Sequence, residues 1–497
     1  HCNNTLEPAM ESLFAKEAAV IEWLQWPTWA MRTVEVLSLL IGLLSFVQYV
    51  MSSSSSKDKS SLSGGVKTSS AFRMFQAQYL TVYLIIMCAD WLQGTNMYTL
   101  YASYDVDIGT LFLTGFLSSA VFGTFLGMYV DKWGRRFGCL LFCVLEIAIN
   151  LMEHVPDMSL LLLGRVLGGM STSLLFSAFE SWMVSEHRKR GFPEEWLAGT
   201  FAISSWGNGV VAILAGFLAQ VAADVGGDIG PFQLAIGLTI VSLLLIISWD
   251  ENYGDAHDSG GGAGSSGAGA GSEKGAYSLF NSVTSTLALI VKYPAVLFLG
   301  LSQAFFEGAV YTFVFMWVPS MLELMPPGAS LPTGLVFACF MLAMTLGGMI
   351  FSLVLPVFPG GCLALTALVF SVSAISMTVP IYNYEFWWVF TAFLVLECML
   401  GMFASCGGTL RSIYYPEGMQ SSIMSIFRFP LNLLVVIGTL LTNNASNVTE
   451  LKQVYMVVAG MHVTAFVFQV CVIFFPVPCE NQATATCGSP RRSKKKD

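Results

Sequence analysis

The chain has 497 residues, of which 55% are hydrophobic and 11% are charged. Soluble domains carry about 25% charged residues, so this composition excludes an ordinary soluble enzyme and indicates a polytopic membrane protein. We find no order of catalytic residues, no metal motif and no phosphate-binding loop, and the dense basic run at 491–496 is typical of a cytoplasmic anchor. The sequence therefore predicts no enzymatic activity, no cofactor, no metal and no nucleic-acid partner.

The chain is organised around apolar runs, each about as long as the 20 residues that a helix needs to cross a bilayer. Thirteen such runs occur, at 33–51, 76–101, 108–130, 137–155, 158–185, 199–222, 230–249, 294–320, 333–355, 361–380, 385–412, 420–441 and 452–475. We predict an all-α polytopic membrane protein with six plus six transmembrane helices and one extra N-terminal helix.

Composition also predicts the boundaries of the N-terminal extension, the two six-helix halves, the linker between them and the tail. Residues 1–75 form an N-terminal extension with the extra helix and a Ser-rich linker, and 76–249 form the first six-helix half. A Gly- and Ser-rich cytoplasmic linker at 250–293 precedes the second half at 294–475, and 476–497 form a basic cytoplasmic tail.

The charges of the loops predict the orientation. The short loop 131–136 is rich in Lys and Arg, and such loops stay in the cytoplasm. The opposite loops are then acidic, with Asp105, Asp107, Glu153, Asp157, Asp224 and Asp228. Three glycosylation sequons also fall outside, at Asn3, Asn444 and Asn447. We expect the N-terminus outside and the C-terminus in the cytoplasm of a multi-pass protein of the cell membrane.

Seven Asp, Glu and Arg residues lie in the interior of apolar runs, where each costs roughly 3 kcal/mol or more on insertion scales. They are Asp90, Glu146, Arg165, Glu180, Glu307, Glu397 and Arg428. This number is too large for a purely structural bundle, so the sequence predicts a wet central cavity for a polar or charged solute. Asp90, Glu180 and Glu307 are candidate coupling or cavity acids, whereas Glu146 and Glu397 are interpreted as packing or gating acids.

Two arginines are the main candidates for contact with an anion. Arg165 lies beside Gly168 and Gly169 on a helix whose close approach to a neighbour would line a cavity; the alternative is a structural arginine bonded to backbone carbonyls. Arg428 precedes Pro430, which frees a backbone carbonyl. The alternative for Arg428 is a clamp with Glu307 or Glu397. Three neutral polar residues complete the predicted substrate site: Asn96, Ser205 and Asn208.

Two strings resemble signatures of the major facilitator superfamily. One is G-x-x-x-D-[KR]-x-G-R-[RK], which runs from Gly127 to Arg136, and the other is Arg165-x-x-Gly168-Gly169. Narrower strings resemble the eukaryotic molybdate-anion transporter branch of that superfamily; they lie at 89–93, 174–182, 186–187, 192–196, 251–253 and 427–430.

This resemblance implies a major facilitator fold and high-affinity uptake of molybdate, a tetrahedral dianion, across the plasma membrane. It also implies that Gly127, Asp131, Arg135 and Arg136 belong to a loop that latches the two halves together, with Glu186 as a charge partner. The equivalent loop of the second half, 356–361, has no charge, so the latch should be one-sided.

The combined hypothesis is alternating access of two halves around molybdate or a similar oxyanion, by a monomer in the lipid bilayer, with protons as a coupling ion. Two alternatives stay open. One is a transporter of another oxyanion or small solute, and the other is a non-transporting receptor or scaffold with the same fold.

Overall fold

The computed structural model describes residues 26–56, 69–253, 284–326, 329–416, 420–442 and 447–476. Long helices make up nearly all of these ranges. In chain order they are α1 Thr28–Ser56, α2 Ser70–Ser103, α3 Ile108–Trp133, α4 Arg135–Met152, α5 Met158–Leu175, α6 Ala178–Lys189, α7 Glu194–Gly226, α8 Gly230–Ile246, α9 Pro294–Glu323, α10 Thr333–Val354, α11 Gly361–Tyr382, α12 Phe386–Tyr414, α13 Gln420–Thr442 and α14 Val448–Ile473.

Every predicted apolar run falls on these helices, and the prediction of an all-α polytopic membrane protein is confirmed. Within the described ranges, eight helical stretches are long and apolar enough to cross a membrane by length and composition. Most of the predicted linker and the predicted tail from residue 477 onward, with the sequons at Asn3 and Asn444, lie outside the described residues. The predicted domain boundaries therefore remain predictions.

One predicted run, 158–185, is divided between two helices. The break lies at Phe176 and Ser177, between α5 and α6. Hydroxyl groups bond backbone carbonyls four residues back at this point, from Ser173 to Gly169 at 2.8 Å and from Ser177 to Ser173 at 2.6 Å. Such bonds compete with the helical ladder and bend helices. The break places Glu180 in the first turn of α6, where a helix favours negative charge.

The two halves meet along two seams, where α7 packs on α10 and α3 packs on α13. Glycines let the first seam close tightly. A Cβ atom on Gly216 of α7 would lie 2.7 Å from the carbonyl oxygen of Gly334 on α10. Since real Cβ atoms do not approach that closely, a side chain at Gly216 would push the halves apart.

The two ends of the bundle differ in charge. The basic face carries loop 131–136 and the end of α6, and the acidic face carries Asp107, Glu153 and Asp224. Aromatic contacts join the halves towards the acidic face: the ring centroids of Phe112 and Phe315 lie 4.6 Å apart. Towards the basic face, the buried clusters separate by half, one around Trp182 and the other around Leu299, Leu410 and Tyr414. The described part of the bundle is therefore closed at the acidic face and divided at the basic face.

The extra helix α1 packs on α10 of the second half. Trp29 lies among Phe386, Trp387 and Phe390, with centroid distances of 4.8, 6.4 and 5.3 Å. Just before α1, the Trp26 indole donates to Asp224 of the first half at 2.7 Å. Helix α1 thus connects the two halves at the acidic face.

We expect Trp26→Phe to favour opening of the acidic face, because it removes a hydrogen bond to a charged group that contributes about 1.5–3 kcal/mol. The measurement is maleimide labelling of purified protein carrying Met316→Cys, a position buried beneath that face. The labelling rate should rise several-fold. Trp387→Phe alters the docking of α1 without touching Asp224 and should leave the rate unchanged; equal rates for both variants would contradict the expectation.

Candidate functional site

The site is centred on Arg428, on the ninth position of α13. Its neighbour Phe427 is buried, and its ring occupies the place that a Cβ on Gly300 of α9 would take. This contact fixes the rotation of α13 and leaves the Arg428 side chain exposed. In the part of the chain that the structure describes, Arg428 makes no hydrogen bond or ion pair within contact distance, so its donors are available to a ligand.

Glu307 of α9 is an acid within electrostatic range of Arg428. The half-buried Glu307 carboxyl group interacts electrostatically with Arg428 and with Arg411 of α12. Tyr311 lies one helical turn further along α9 and interacts with both Glu307 and Arg428. The Tyr311 ring contacts Phe116 of the first half, with centroids 5.9 Å apart. The cluster therefore lies at the seam, next to the contact that closes the acidic face.

The first half contributes a polar wall. Glu180 is exposed at the start of α6, and Tyr83 of α2 lies within electrostatic range of both Glu180 and Asp90. On α7, Ser205 is exposed and the Asn208 side-chain oxygen accepts a hydrogen bond from the Trp91 indole at 2.9 Å. Ser205 and Asn208, two of the predicted polar residues, thus lie near the middle of a long helix. A solute site at the centre of the bundle needs polar groups at this depth.

The structure places Arg165 apart from this centre, near the acidic face. Its guanidinium forms an ion pair with buried Glu153 at 2.5 Å, and a second nitrogen lies 3.1 Å from the Met97 sulfur. Tyr101 donates to the same Glu153 oxygen at 2.9 Å, and Tyr104 donates to the Glu153 carbonyl at 2.8 Å. Arg165 therefore ties α5 to the end of α4, rather than standing open to a ligand in this state.

Asn96 also lies near the acidic face. Its amide nitrogen is 3.4 Å from an Asp228 carboxylate oxygen, and its side-chain oxygen accepts from Thr95 at 2.9 Å. The side chain is only 3% exposed, so it has no open access to a solute in this state.

Glu146 and Glu397, the two acids interpreted as packing or gating groups, differ in their hydrogen bonding. Glu146 accepts hydrogen bonds from Gln93 at 2.9 Å and from Ser171 at 2.5 Å, which link α4 to α2 and α5. Glu397 of α12 is buried, and one of its carboxyl oxygens has no hydrogen-bond partner among the described residues. Neither side chain is open to the space between the halves.

The signature loop is held by a carboxylate that the sequence prediction did not assign. Glu251 accepts hydrogen bonds from the backbone N–H groups of Arg136 at 2.8 Å and Phe137 at 3.0 Å, at the start of α4.

Glu186, the predicted charge partner of the loop, instead pairs with Arg190 at 2.8 Å. The amide of Asn252 reaches Glu186 at 3.5 Å, while its carbonyl accepts from the Arg135 backbone at 2.9 Å. Glu186 therefore reaches the loop through Asn252.

The signature loop at 131–136 and the equivalent loop of the second half at 356–361 have different structures. In the first, the backbone of Gly127 and Asp131 is helical, and their side-chain surroundings lie outside what the structure describes. In the second, Gly360 and Gly361 both have positive φ, 86° and 63°, which favours glycine. A glycine turn thus stands in the second half where the first half has its charged loop.

We expect Glu251→Gln to loosen the signature loop, because a charged acceptor at a helix N-terminus is replaced by a neutral one. The loss should be about 1 kcal/mol, as for a removed helix cap. Thermal unfolding of the purified protein in detergent would measure it as a lower midpoint. Glu195→Gln, an exposed acid in the first turn of α7, is the matched control; an equal shift in both variants would show that Glu251 has no special role.

The third predicted sequon is within the described chain. Asn447 is exposed at the acidic face and caps α14, accepting from the Glu450 backbone at 3.0 Å. Its position on the surface suits the predicted glycosylation site.

The structure brings Arg428, Glu307, Ser205, Asn208, Asp90 and Glu180 to the middle of the bundle or the basic side, and leaves Arg165 and Asn96 near the acidic face. Sequence reasoning missed Arg411, Gln303, Tyr311 and Glu251. Arg411 lies in the last turn of α12 and donates to Gln303 at 3.1 Å. A polar Gln four residues before Glu307 was the available signal.

Comparisons with known proteins agree with this architecture. A family profile described as "sugar transporters, 12 TM" matches residues 36–387. A molybdate-anion transporter of Xenopus laevis is 33% identical over 448 residues, which are 87% of this chain and 93% of that protein. The molybdate-anion transporter of Takifugu rubripes is 32% identical over 389 residues, which are 74% of this chain and 80% of that protein.

Solved structures show the same fold. The nucleoside transporter NupG has a TM-score of 0.57 at 12% identity and covers 81% of this chain and 100% of its own. A D-xylose-proton symporter has a TM-score of 0.59 at 14% identity and covers 81% of this chain and 97% of its own. At these identities the likeness concerns the fold alone.

Proposed function

The chain belongs to the major facilitator superfamily, in the family of the molybdate-anion transporters that it matches, and we propose that it takes up molybdate with high affinity across the plasma membrane. It is a multi-pass membrane protein, and its relatives are transporters rather than enzymes. The proposed mechanism is alternating access, in which the two halves of a monomer rock so that the central site opens to one side at a time.

The observation that carries the proposal is the exposed guanidinium of Arg428 at the seam between the halves. An arginine there is always charged and presents a planar fork that matches the oxygens of an oxyanion. Ser205 and Asn208 of the opposite half are proposed as neutral hydrogen-bonding groups for the same anion. We assign Arg165 and Asn96 to the acidic-face network in the present state, with anion contact confined to the state in which that face opens.

The basic face is proposed to lie in the cytoplasm, because short Lys- and Arg-rich loops stay on that side. The N-terminus would then lie outside and the C-terminus inside. In this orientation the state described here faces inward, with its closed acidic face towards the exterior. The signature loop would close the cytoplasmic ends of the halves in the other state.

A dianion that enters against a negative-inside potential needs a coupled cation, since each charge costs about 2.3 kcal/mol per 100 mV. We propose protons, carried by one of the three central acids, Asp90, Glu180 or Glu307. Uptake should then rise as the external pH falls.

Cells that express the chain test the proposal. They should accumulate molybdate at nanomolar supply, and excess sulfate should compete poorly. Competition by sulfate as strong as by unlabelled molybdate would favour a general oxyanion transporter. Accumulation of labelled xylose without any oxyanion flux would favour a sugar transporter. Surface expression without change in any of these fluxes would leave a receptor or scaffold and would overturn the proposal.

A further inference from the structure

The register of α9 and α13 gives the depth of the central arginines. These helices run in the same direction, and three contacts pair them: Phe427 with Gly300, Leu434 with Gly308, and Gly438 with Thr312. The offset between partners is 126 or 127 residues throughout. Arg428 is therefore level with residues 301–302, next to Gln303.

Arg411 of α12 reaches the same level of α9 through Gln303. Its Nη1 atom donates to the Gln303 side-chain oxygen at 3.1 Å. A Cβ on Gly407, one turn before Arg411, would touch both Arg411 and Gln303, so the absence of a side chain there leaves room for the two groups. Arg411 contacts Gln303, and Arg428 lies at the same depth of the second half.

Glu307 lies one helical turn from Gln303, about 6 Å along α9. It interacts electrostatically with both arginines. The other amide atom of buried Gln303, its Nε2 donor, has no hydrogen-bond partner among the described residues. The cluster therefore contains two positive charges, one negative charge and one unused donor.

We propose that Arg411 and Arg428 together form the dianion site, that Gln303 donates to the bound anion, and that Glu307 is a resident counter-charge which the anion displaces. This inference rests on the proposed function. Two guanidinium groups balance the two charges of a tetrahedral dianion. The single negative charge of Glu307 balances only one of the two guanidinium groups. In the empty state the carboxylate partly neutralises the pair and reduces the cost of two nearby cations in a membrane protein.

The site should distinguish anions by charge as well as by shape. Perrhenate is tetrahedral like molybdate but carries a single negative charge. A site with two arginines should bind the dianion more tightly than this monoanion of the same shape. Since Glu307 competes with the anion for the arginines, its removal should strengthen anion binding.

Calorimetric titration of the purified full chain in detergent with sodium molybdate and with sodium perrhenate tests these points. Arg411→Gln should weaken molybdate binding about tenfold or more, because one charge-assisted contact is lost, and should reduce the preference over perrhenate. Glu307→Gln should tighten molybdate binding several-fold. Arg188→Gln removes an equal charge at the basic face, where Arg188 pairs with exposed Glu194 at 2.8 Å, and should change neither affinity.

The outcomes separate this inference from the proposed function. If the wild-type protein binds molybdate but Arg411→Gln binds it equally well, the two-arginine site is wrong and molybdate transport stands. Weaker binding by Glu307→Gln would show that Glu307 supports the anion rather than competing with it, which also overturns the inference. If the wild-type protein neither binds nor transports molybdate, the proposed function itself fails.

Discussion

Arg428→Gln is expected to abolish molybdate uptake by cells while the amount of protein at the surface stays the same. The exposed Arg428 side chain makes no close polar contact in the described chain, so its loss should cost little stability. A charge-assisted contact to the anion is lost, and the binding free energy should fall by about 1.5–3 kcal/mol, which is a tenfold or larger loss of affinity.

Two further variants make this expectation specific. Arg428→Lys keeps the charge but loses the planar fork, so it should retain a small part of the uptake. Arg188→Gln should behave as the wild type because it lies at the surface. Wild-type uptake by Arg428→Gln at equal surface expression would remove Arg428 from the site.

The second large effect concerns stability and Arg165. Glu153→Gln should lower the free energy of unfolding by about 3–5 kcal/mol, because it leaves the Arg165 guanidinium buried without its counter-charge. Replacing both partners, as Glu153→Gln with Arg165→Met, should restore most of that loss. Thermal unfolding of the purified variants in one detergent measures both effects.

The same variants decide between the two sequence interpretations of Arg165. A structural arginine predicts that the double variant folds and still transports. If Glu153→Gln leaves stability intact and Arg165→Met folds normally but does not transport, Arg165 is instead a cavity residue. That result would make Arg165 an essential anion contact in the state in which the acidic face opens.

The fold was largely predictable because apolar length is a strong local signal. All thirteen runs became helices, and the extra helix before the twelve was evident from 33–51. The break at Phe176 was not predicted, because apolar runs do not reveal the hydroxyl bonds to backbone carbonyls that accompany it. Its consequence, Glu180 at a helix start, was therefore missed as well.

The sequence indicated that the candidate site contains charges within the membrane, but it identified only some of the residues involved. Membrane-embedded charges can be identified from sequence, but their pairing depends on which helices become neighbours. Arg165 met Glu153, a residue interpreted as a loop acid, and Arg411 met Gln303 across two distant helices. Glu251 bonded a loop 115 residues away in the chain. None of these pairs has a spacing that periodicity can detect.

Counterflow in proteoliposomes tests the central claim most directly, because it needs no coupling ion and no cell. Vesicles that contain the purified wild-type protein and unlabelled molybdate are diluted into a trace of labelled molybdate. We predict that label accumulates inside these vesicles, and that vesicles with Arg428→Gln accumulate none above protein-free vesicles. Accumulation by neither protein, or equal accumulation by both, would contradict an oxyanion site at Arg428.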